Sequence, residues 1–359
     1  MSSIRVLCVD DSALVRQVLK AKLNEQEGIE VVGVAPDPFV ARDLIIDLNP
    51  DVMTLDIEMP RMDGVEFLRK LMPQFPVPTI VFSSLAHDGG DITLNALDAA
   101  AFDYITKPAA GLTNRLPEMI ADLTKKIRLA STANRDLLKN RAITNAKALT
   151  KTKKAEKTTT LNDSTDKVIA IGASTGGTEA LKDILMNLPG NLPGIVIVQH
   201  MPPGMTQKFA DRLNDLCSMT VKEAKDGDRL LVGSALIAPG GKQMEVIRSG
   251  GVYRVKVFEG EKVNNHMPSV EVLFNSIAQY VGNNALGVML TGMGKDGAVA
   301  MKGMRDAGAF NVIQDERSSI VWGMPGEAFH VGAADKCTSL GDIPKEMQSH
   351  IKKWGWGSP

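Results

Sequence analysis

The sequence predicts an α/β protein built from two doubly wound, mostly parallel units joined by a basic stretch. Three observations carry this expectation. Short apolar runs alternate with helix-period patterns through both halves. Each run stops abruptly at a polar residue or a glycine, as strands of an open sheet do at their carboxyl ends. Between Lys125 and Lys157, eleven lysines and arginines stand against only two acids, Asp136 and Glu156, which divides the halves. At 359 residues the chain has room for two full cores.

Composition narrows the function classes. With 44% hydrophobic and 4% aromatic residues the chain reads as ordinary α/β protein. A net charge of -1 argues against nucleic-acid binding driven by overall charge. Cys8, Cys217 and Cys337 are far apart and form no Cys-x-x-Cys pair, so structural zinc and disulfide scaffolds are not expected. No apolar run approaches the ~18 residues of a membrane span, and no signal peptide is read. A reducing cytoplasm, without membrane insertion, is the expected setting.

Ile4 to Val9 reads as the first strand and ends in two acids, Asp10 and Asp11. Leu14, Val15, Val18, Leu19 and Leu23 follow at helical spacing, with Ser12 placed to cap the helix. Further strands are expected over Ile29–Ala35, over Asp51–Leu55 ending at Asp56, over Thr79–Phe82 ending at Ser83 and Ser84, and over Ala101–Thr106 ending at Lys107-Pro108. Helical patterns fill the intervals, so this unit is a five-fold βα alternation. Asp10, Asp11, Asp56, Ser83 and Lys107 therefore converge on one crevice at the carboxyl edge of the sheet. Three carboxylates brought together repel one another, and a hard divalent cation with oxygen ligands relieves the repulsion. Lys107 and Ser83 would supply a positive charge and a hydroxyl to an anionic group there.

These residues resemble a response-regulator receiver domain, the flavodoxin-like five-stranded fold, over residues 1–126. The resemblance implies that Asp56 accepts a phosphoryl group from a histidine kinase. It also implies Mg²⁺ held by Asp11, Asp56 and the backbone carbonyl of Glu58, with Asp10 acting through water. Ser83 and Tyr104 would be the switch pair that rearranges when Ser83 and Lys107 bind the phosphoryl oxygens.

Residues 127–166 are expected to form a basic, flexible linker, because the stretch from Ala142 to Thr165 has little to bury. Its first part, near Leu116 to Leu138, has helical character. The charge could serve an acidic partner or DNA, or simply keep the segment solvated.

The second unit is expected over 167–354. Val168 to Ile171 forms an apolar run that breaks at Gly172-Ala173-Ser174-Thr175-Gly176-Gly177, and a helical pattern starts at once. A hydroxyl on such a strand-to-helix turn stands near free N–H groups at the helix start. The stretch fits a nucleophile elbow, and equally a glycine-rich phosphate cradle. The next strand, Gly194–Gln199, ends at His200, within reach of the same crevice for proton transfer. Ala285–Thr291 is a third apolar strand, followed by Gly292-Met293-Gly294-Lys295-Asp296-Gly297. Asp296 could merely favour the start of the helix Ala298–Met304, or could orient His200 through Nδ1–H and stabilise the imidazolium. With Ser174 and His200 on the neighbouring strands, the triad reading is preferred. Between these strands, Ala235–Ala238, Met244–Ile247 and Tyr253–Val257 read as a small antiparallel excursion with glycine turns. A helix from Val270 to Tyr280 returns the chain to the sheet.

The order Ser174, His200, Asp296 is not that of the α/β-hydrolases. It resembles instead the chemotaxis protein-glutamate methylesterases of the CheB family. The signatures are Gly172 to Gly177, Gln199-His200-Met201-Pro202, His266-Met267-Pro268-Ser269-Val270 and Leu290 to Gly297, with a receiver in front. The resemblance implies a phosphorylation-regulated serine esterase, a response regulator of a two-component system. It would hydrolyse glutamyl methyl esters on the cytoplasmic helices of methyl-accepting chemoreceptors, releasing methanol, and deamidate certain glutamines there. Ser174 would be the nucleophile, His200 the base and Asp296 the orienting acid, with backbone N–H groups of Thr175 and Met293 as oxyanion candidates. No cofactor is expected for the esterase step. The unphosphorylated receiver would cover the catalytic crevice. The tail 355–359 and the tryptophans Trp354 and Trp356 fall outside the resemblance and read as a tail or packing anchor, with no function assigned.

Two rivals come from other classes. A DNA-binding output half finds support only in the basic linker, and no helix-turn-helix is legible after residue 167. A nucleotide-binding module would lack a Walker lysine and the full Gly-x-Gly-x-x-Gly order, and His200 stands where it needs an acid.

Overall fold

The computed structural model describes residues 3–59, 62–84, 89–107, 112–149 and 165–356. The chain divides into two compact units, Met1–Thr152 and Lys153–Pro359.

The first unit carries β1 (Ile4–Val9), β2 (Ile29–Ala35), β3 (Val52–Asp56), β4 (Thr79–Ser84) and β5 (Asp103–Lys107). They form one parallel sheet in the order β2-β1-β3-β4-β5. Leu7, Met53, Leu55 and Ile80 are fully buried, which is why the central strands read as unbroken apolar runs. Ser12 Oγ accepts the Val15 N–H and starts the helix Ala13–Asn24. Asp37 starts the helix Pro38–Leu48 by accepting two N–H groups, with proline in its first turn. The chain steps from β2 across β1 to β3, so the carboxyl ends of β1 and β3 flank the switch point of the sheet.

The stretch expected as linker begins inside the helix Leu112–Ala130 and contains a second helix, Arg135–Leu149. Leu138 and Ala142, four residues apart on one face, are buried. Arg135 donates to the Pro50 and Asp51 carbonyls, and Asn145 Nδ2 donates to the Asp98 carbonyl at 2.9 Å. Residues 150–164 and 357–359 lie outside the described residues, as does Pro108.

The second unit carries β6 (Val168–Ala173), β7 (Gly194–Gln199), β8 (Thr220–Glu223), β9 (Ser234–Ile237), β10 (Gln243–Ser249), β11 (Val252–Phe258), β12 (Ala285–Met289), β13 (Phe310–Gln314) and β14 (Lys336–Thr338). Seven strands form a parallel sheet in the order β14-β13-β12-β6-β7-β9-β8, and β10-β11 pair apart from it as an antiparallel hairpin. The antiparallel excursion is therefore smaller than expected: β9 joins the main sheet beside β7, in parallel. Every residue of β6, β7 and β12 is buried. The chain leaves β6 to one side for β7 and later returns to its other side as β12, so β6 ends at the switch point.

The helix Ile343–Lys353 closes the unit. The Lys167 ammonium lies 5.3 Å from the Trp354 ring, and Trp356 Nε1 donates to the Asn191 carbonyl at 2.9 Å. Both tryptophans are thus tied to this unit. Among the described residues no helix is long and apolar enough to cross a membrane.

Candidate active site

Ser174 follows the last residue of β6, half-buried, and its backbone is held from two sides. Its N–H donates to the Thr291 carbonyl at 3.1 Å, and its carbonyl accepts from Gln199 Nε2 at 3.0 Å and from Gly177 N–H at 2.7 Å. Thr291 also reaches the elbow with its side chain, donating from Oγ1 to the Thr175 carbonyl at 3.0 Å. The turn closes through Gly176 at φ +79, where a β-carbon would also lie 2.9 Å from Ile320. Gly292, opposite, has no room for a side chain: a β-carbon would fall 2.8 Å from Ser174 Cβ and 2.4 Å from Met324 Sδ. Two strand ends therefore meet backbone against side chain at the serine.

His200 leaves the neighbouring β7, and its N–H donates to the Ala173 carbonyl at 3.1 Å. Its ring meets Asp296 at 2.9 Å, with the His200 and Asp296 side chains only 7% and 1% exposed. The nitrogen involved is Nε2, not the expected Nδ1. Nδ1 is buried and has no partner among the described residues. The reason is one of approach: the carboxylate comes from the loop after β12, on the side of the ring away from the β7 backbone. The imidazole thus presents Nε2 to the acid and leaves Nδ1 without a partner among the described residues, the reverse of the expected arrangement. Ser174 Oγ makes no hydrogen bond to the imidazole among the described residues.

Asp296 is held by far more than His200. Asn264 Nδ2 and Ser269 Oγ each donate to Oδ1 at 2.8 Å, and the Val270 N–H donates to Oδ2 at 2.7 Å. The Glu271 N–H adds a longer bond of 3.4 Å. These last two N–H groups open the helix Val270–Tyr280, whose positive end favours a carboxylate. Burial alone would raise the carboxyl, but the bond and charge of His200, then Asn264 and Ser269, hold it below the ordinary range. Glu271 behaves oppositely. Burial raises it, the neighbouring Asp296 charge adds to this, and N–H groups of Ala300 and Gly297 only partly offset them.

Of the two oxyanion candidates, Met293 stands in the loop after Gly292, and its backbone N–H is engaged by no other group among the described residues. Thr175 follows the serine in the elbow itself, half-buried.

In the first unit, Asp10, Asp11 and Asp56 offer carboxylate oxygens within 4.8 Å of one another. Asp56 is buried, with Lys107 Nζ 2.6 Å from its Oδ2 and the Glu58 N–H 3.1 Å from its Oδ1. Asp10 is 1% exposed, and its Oδ2 is buried with no partner among the described residues. Burial first, then the Asp56 and Asp11 charges, push its carboxyl up to about 6 against the pull of the Ser12 N–H and Lys107. An orphaned oxygen in a cluster short of positive charge fits a divalent cation. Ser83 Oγ accepts the Thr93 hydroxyl at 2.5 Å. Tyr104 lies on β5 with the Lys126 ammonium 5.2 Å from its ring centre.

The CheB methylesterase family model matches residues 169–347, and the response regulator receiver domain model matches residues 6–121. A protein-glutamate methylesterase/protein-glutamine glutaminase of Syntrophotalea carbinolica is 54% identical over 338 residues, 94% of each chain. The protein of the same name from Sulfurimonas denitrificans is 49% identical over 351 residues, 98% of this chain and 99% of that one. The chain belongs to the CheB methylesterase family. The crystal structure of the Thermotoga maritima CheB methylesterase catalytic domain matches with TM-score 0.50 at 36% identity, covering 52% of this chain and 98% of that one.

Several residues position the CheB site in ways the sequence does not show individually, although Gln199, Ser269 and Thr291 lie inside the signature stretches. Asn264, Ser269, Thr291, Gln199 and Gln314 are all tied into it, Gln314 by accepting the Thr291 N–H at 2.8 Å.

Because the Asp296 carboxyl is lowered on folding, its contribution to stability is fully present above the unfolded value of about 3.9 and is lost as pH falls through the folded one. The melting-temperature gap between wild type and Asp296→Asn is therefore expected to be widest near neutrality and to narrow below about pH 4. A gap that stays constant down to about pH 2 would show that the charge is not what the donors hold.

Proposed function

We propose that this chain is a receiver-controlled protein-glutamate methylesterase and protein-glutamine glutaminase whose chemistry is carried by Ser174, His200 and Asp296. The observation that supports this most is the buried Asp296–His200 pair at 2.9 Å, beside a serine elbow at the switch point of the sheet. Ser174 Oγ attacks the glutamyl ester carbonyl as His200 Nδ1 takes its proton. The ester C–O bond breaks, the proton passes to the leaving oxygen, and methanol departs. Water then attacks the acyl-serine, giving its proton to His200, and the Ser174–acyl bond breaks to release glutamate as His200 returns that proton to Ser174 Oγ. For a glutamine side chain the same steps release ammonia. Asp296 keeps the proton on Nε2 and stabilises the imidazolium between the two transfers. The N–H groups of Thr175 and Met293 would hold the oxyanion, each worth about 3 kcal/mol.

The substrates are glutamyl esters and glutamines on the cytoplasmic helices of methyl-accepting chemoreceptors. The enzyme works in the cytoplasm, in chemotaxis adaptation. Residues 1–126 act as the receiver, 167–354 as the catalytic domain, and 127–166 connect them. Asp56 accepts a phosphoryl group from a chemotaxis histidine kinase. Asp11, Asp56 and the Glu58 carbonyl would hold Mg²⁺, with Asp10 acting through water, and the bound ion would supply positive charge toward the phosphoryl oxygens. Lys107 and Ser83 bind those oxygens, and Ser83 with Tyr104 rearranges in response. Phosphorylation shifts the population away from the arrangement in which the receiver covers the catalytic crevice.

Methanol release from methylated receptor, with and without a small phosphodonor, tests both halves. Ser174→Ala is expected to lose turnover by about 10⁴-fold or more, and release at the wild-type rate would refute the nucleophile. Asp56→Ala is expected to lose stimulation by the phosphodonor while unstimulated turnover persists. Stimulation that survives the substitution would remove Asp56 as the acceptor.

A further inference from the structure

One half-buried histidine near the active site has no place in the chemistry above. The His266 and His200 rings are stacked face to face, with centroids 3.6 Å apart and planes 8° from parallel. The bond to Asp296 fixes one nitrogen of His200 but leaves the ring plane loose, because the outer torsion of a histidine side chain has broad wells. A carboxylate accepts over a wide arc, so an imidazole held only there can swing its second nitrogen away from the serine. A second ring against its face removes that freedom.

We propose that His266 is a positioning residue for the esterase reaction, holding the plane of His200 by stacking so that Nδ1 faces the Ser174 hydroxyl while Nε2 stays on Asp296. The inference rests on the triad reading. Its main support is that the backbone of His266 is pinned independently of the ring. His266 and Val263 exchange N–H···O bonds of 2.9 and 3.1 Å. The buried Gln243 donates from Nε2 to the His266 carbonyl at 3.3 Å, and its Oε1 accepts the Ser269 N–H at 2.9 Å. The same short loop sends Asn264 and Ser269 to Oδ1 of Asp296. Base and acid of the pair are thus oriented by one segment, the base through a ring face and the acid through two donors. Removing the ring leaves every one of these backbone and carboxylate contacts in place.

The test compares His266→Ala, His266→Phe and Ser174→Ala in the full chain, by steady-state methanol release from methylated receptor and by melting temperature. His266→Ala is expected to lower kcat about 10- to 100-fold, the cost of a reacting group misplaced by about an ångström, with KM little changed. His266→Phe, which keeps a flat ring but no titratable nitrogen, is expected to restore kcat to within about threefold of wild type. Wild-type kcat in His266→Ala would overturn the proposal. So would a His266→Phe protein as slow as His266→Ala, since the nitrogens and not the ring face would then be what matters. Should His266→Ala fail to fold, His266→Leu against His266→Phe makes the same comparison at similar bulk. Ser174→Ala separates the two levels: if it retains turnover the triad itself fails, whereas an inactive Ser174→Ala beside a fully active His266→Ala removes only the stacking role.

Discussion

A carboxylate taken out of water costs several kcal/mol unless donors and an opposite charge replace its hydration. Asp296 is 1% exposed, and the second unit meets that requirement with the imidazole of His200, the amide of Asn264, the hydroxyl of Ser269 and the first N–H groups of the helix Val270–Tyr280. These groups come from two separated parts of the chain, residue 200 and residues 264–271, and the carboxylate from a third. Satisfying the carboxylate therefore brings together the end of β7, the loop before that helix and the loop after β12. The serine elbow is drawn into the same place by Thr291 and Gln199, which hold its backbone from the two flanking strands. The site is therefore a consequence of folding an acid into a parallel sheet at its switch point.

The first unit handles the same problem differently. Its three carboxylates also gather at a switch point, but internal donors are too few for them. Lys107 answers Asp56, while the inner oxygen of Asp10 has no partner among the described residues and its carboxyl is pushed up by burial. One unit fixes its acid with protein groups. The other leaves its carboxylates short of positive charge, an arrangement that fits a divalent cation.

The β6, β7 and β12 strands and the residues that end them are legible in the sequence, because wholly buried strands write themselves as apolar runs and the next polar residue marks the edge. Strands that break this rule are not. β13 carries Asn311 and Gln314, both fully buried and used as hydrogen-bonding struts, so its run is interrupted where the structure is most enclosed. β9 looks like part of a meander because turn glycines surround it, and nothing local distinguishes a parallel neighbour from an antiparallel one. The helix Arg135–Leu149 hides among lysines and arginines, with Leu138 and Ala142 its only buried apolar side chains among the described residues. Asn264 and Ser269 act on Asp296 across 32 and 27 residues, a separation over which polar residues have no periodicity to betray them. The choice of Nε2 over Nδ1 is set by the direction from which the acid arrives, which is a property of the fold.

The central claim is that one hydroxyl in this chain is made nucleophilic by the buried His200–Asp296 pair. Covalent labelling with an alkyl fluorophosphonate, located by peptide mass spectrometry, addresses it without any receptor. The label is expected on Ser174 in the folded protein, with a rate that falls at least about 100-fold in His200→Gln. Labelling at another residue, or at Ser174 with a rate indifferent to His200, would contradict it.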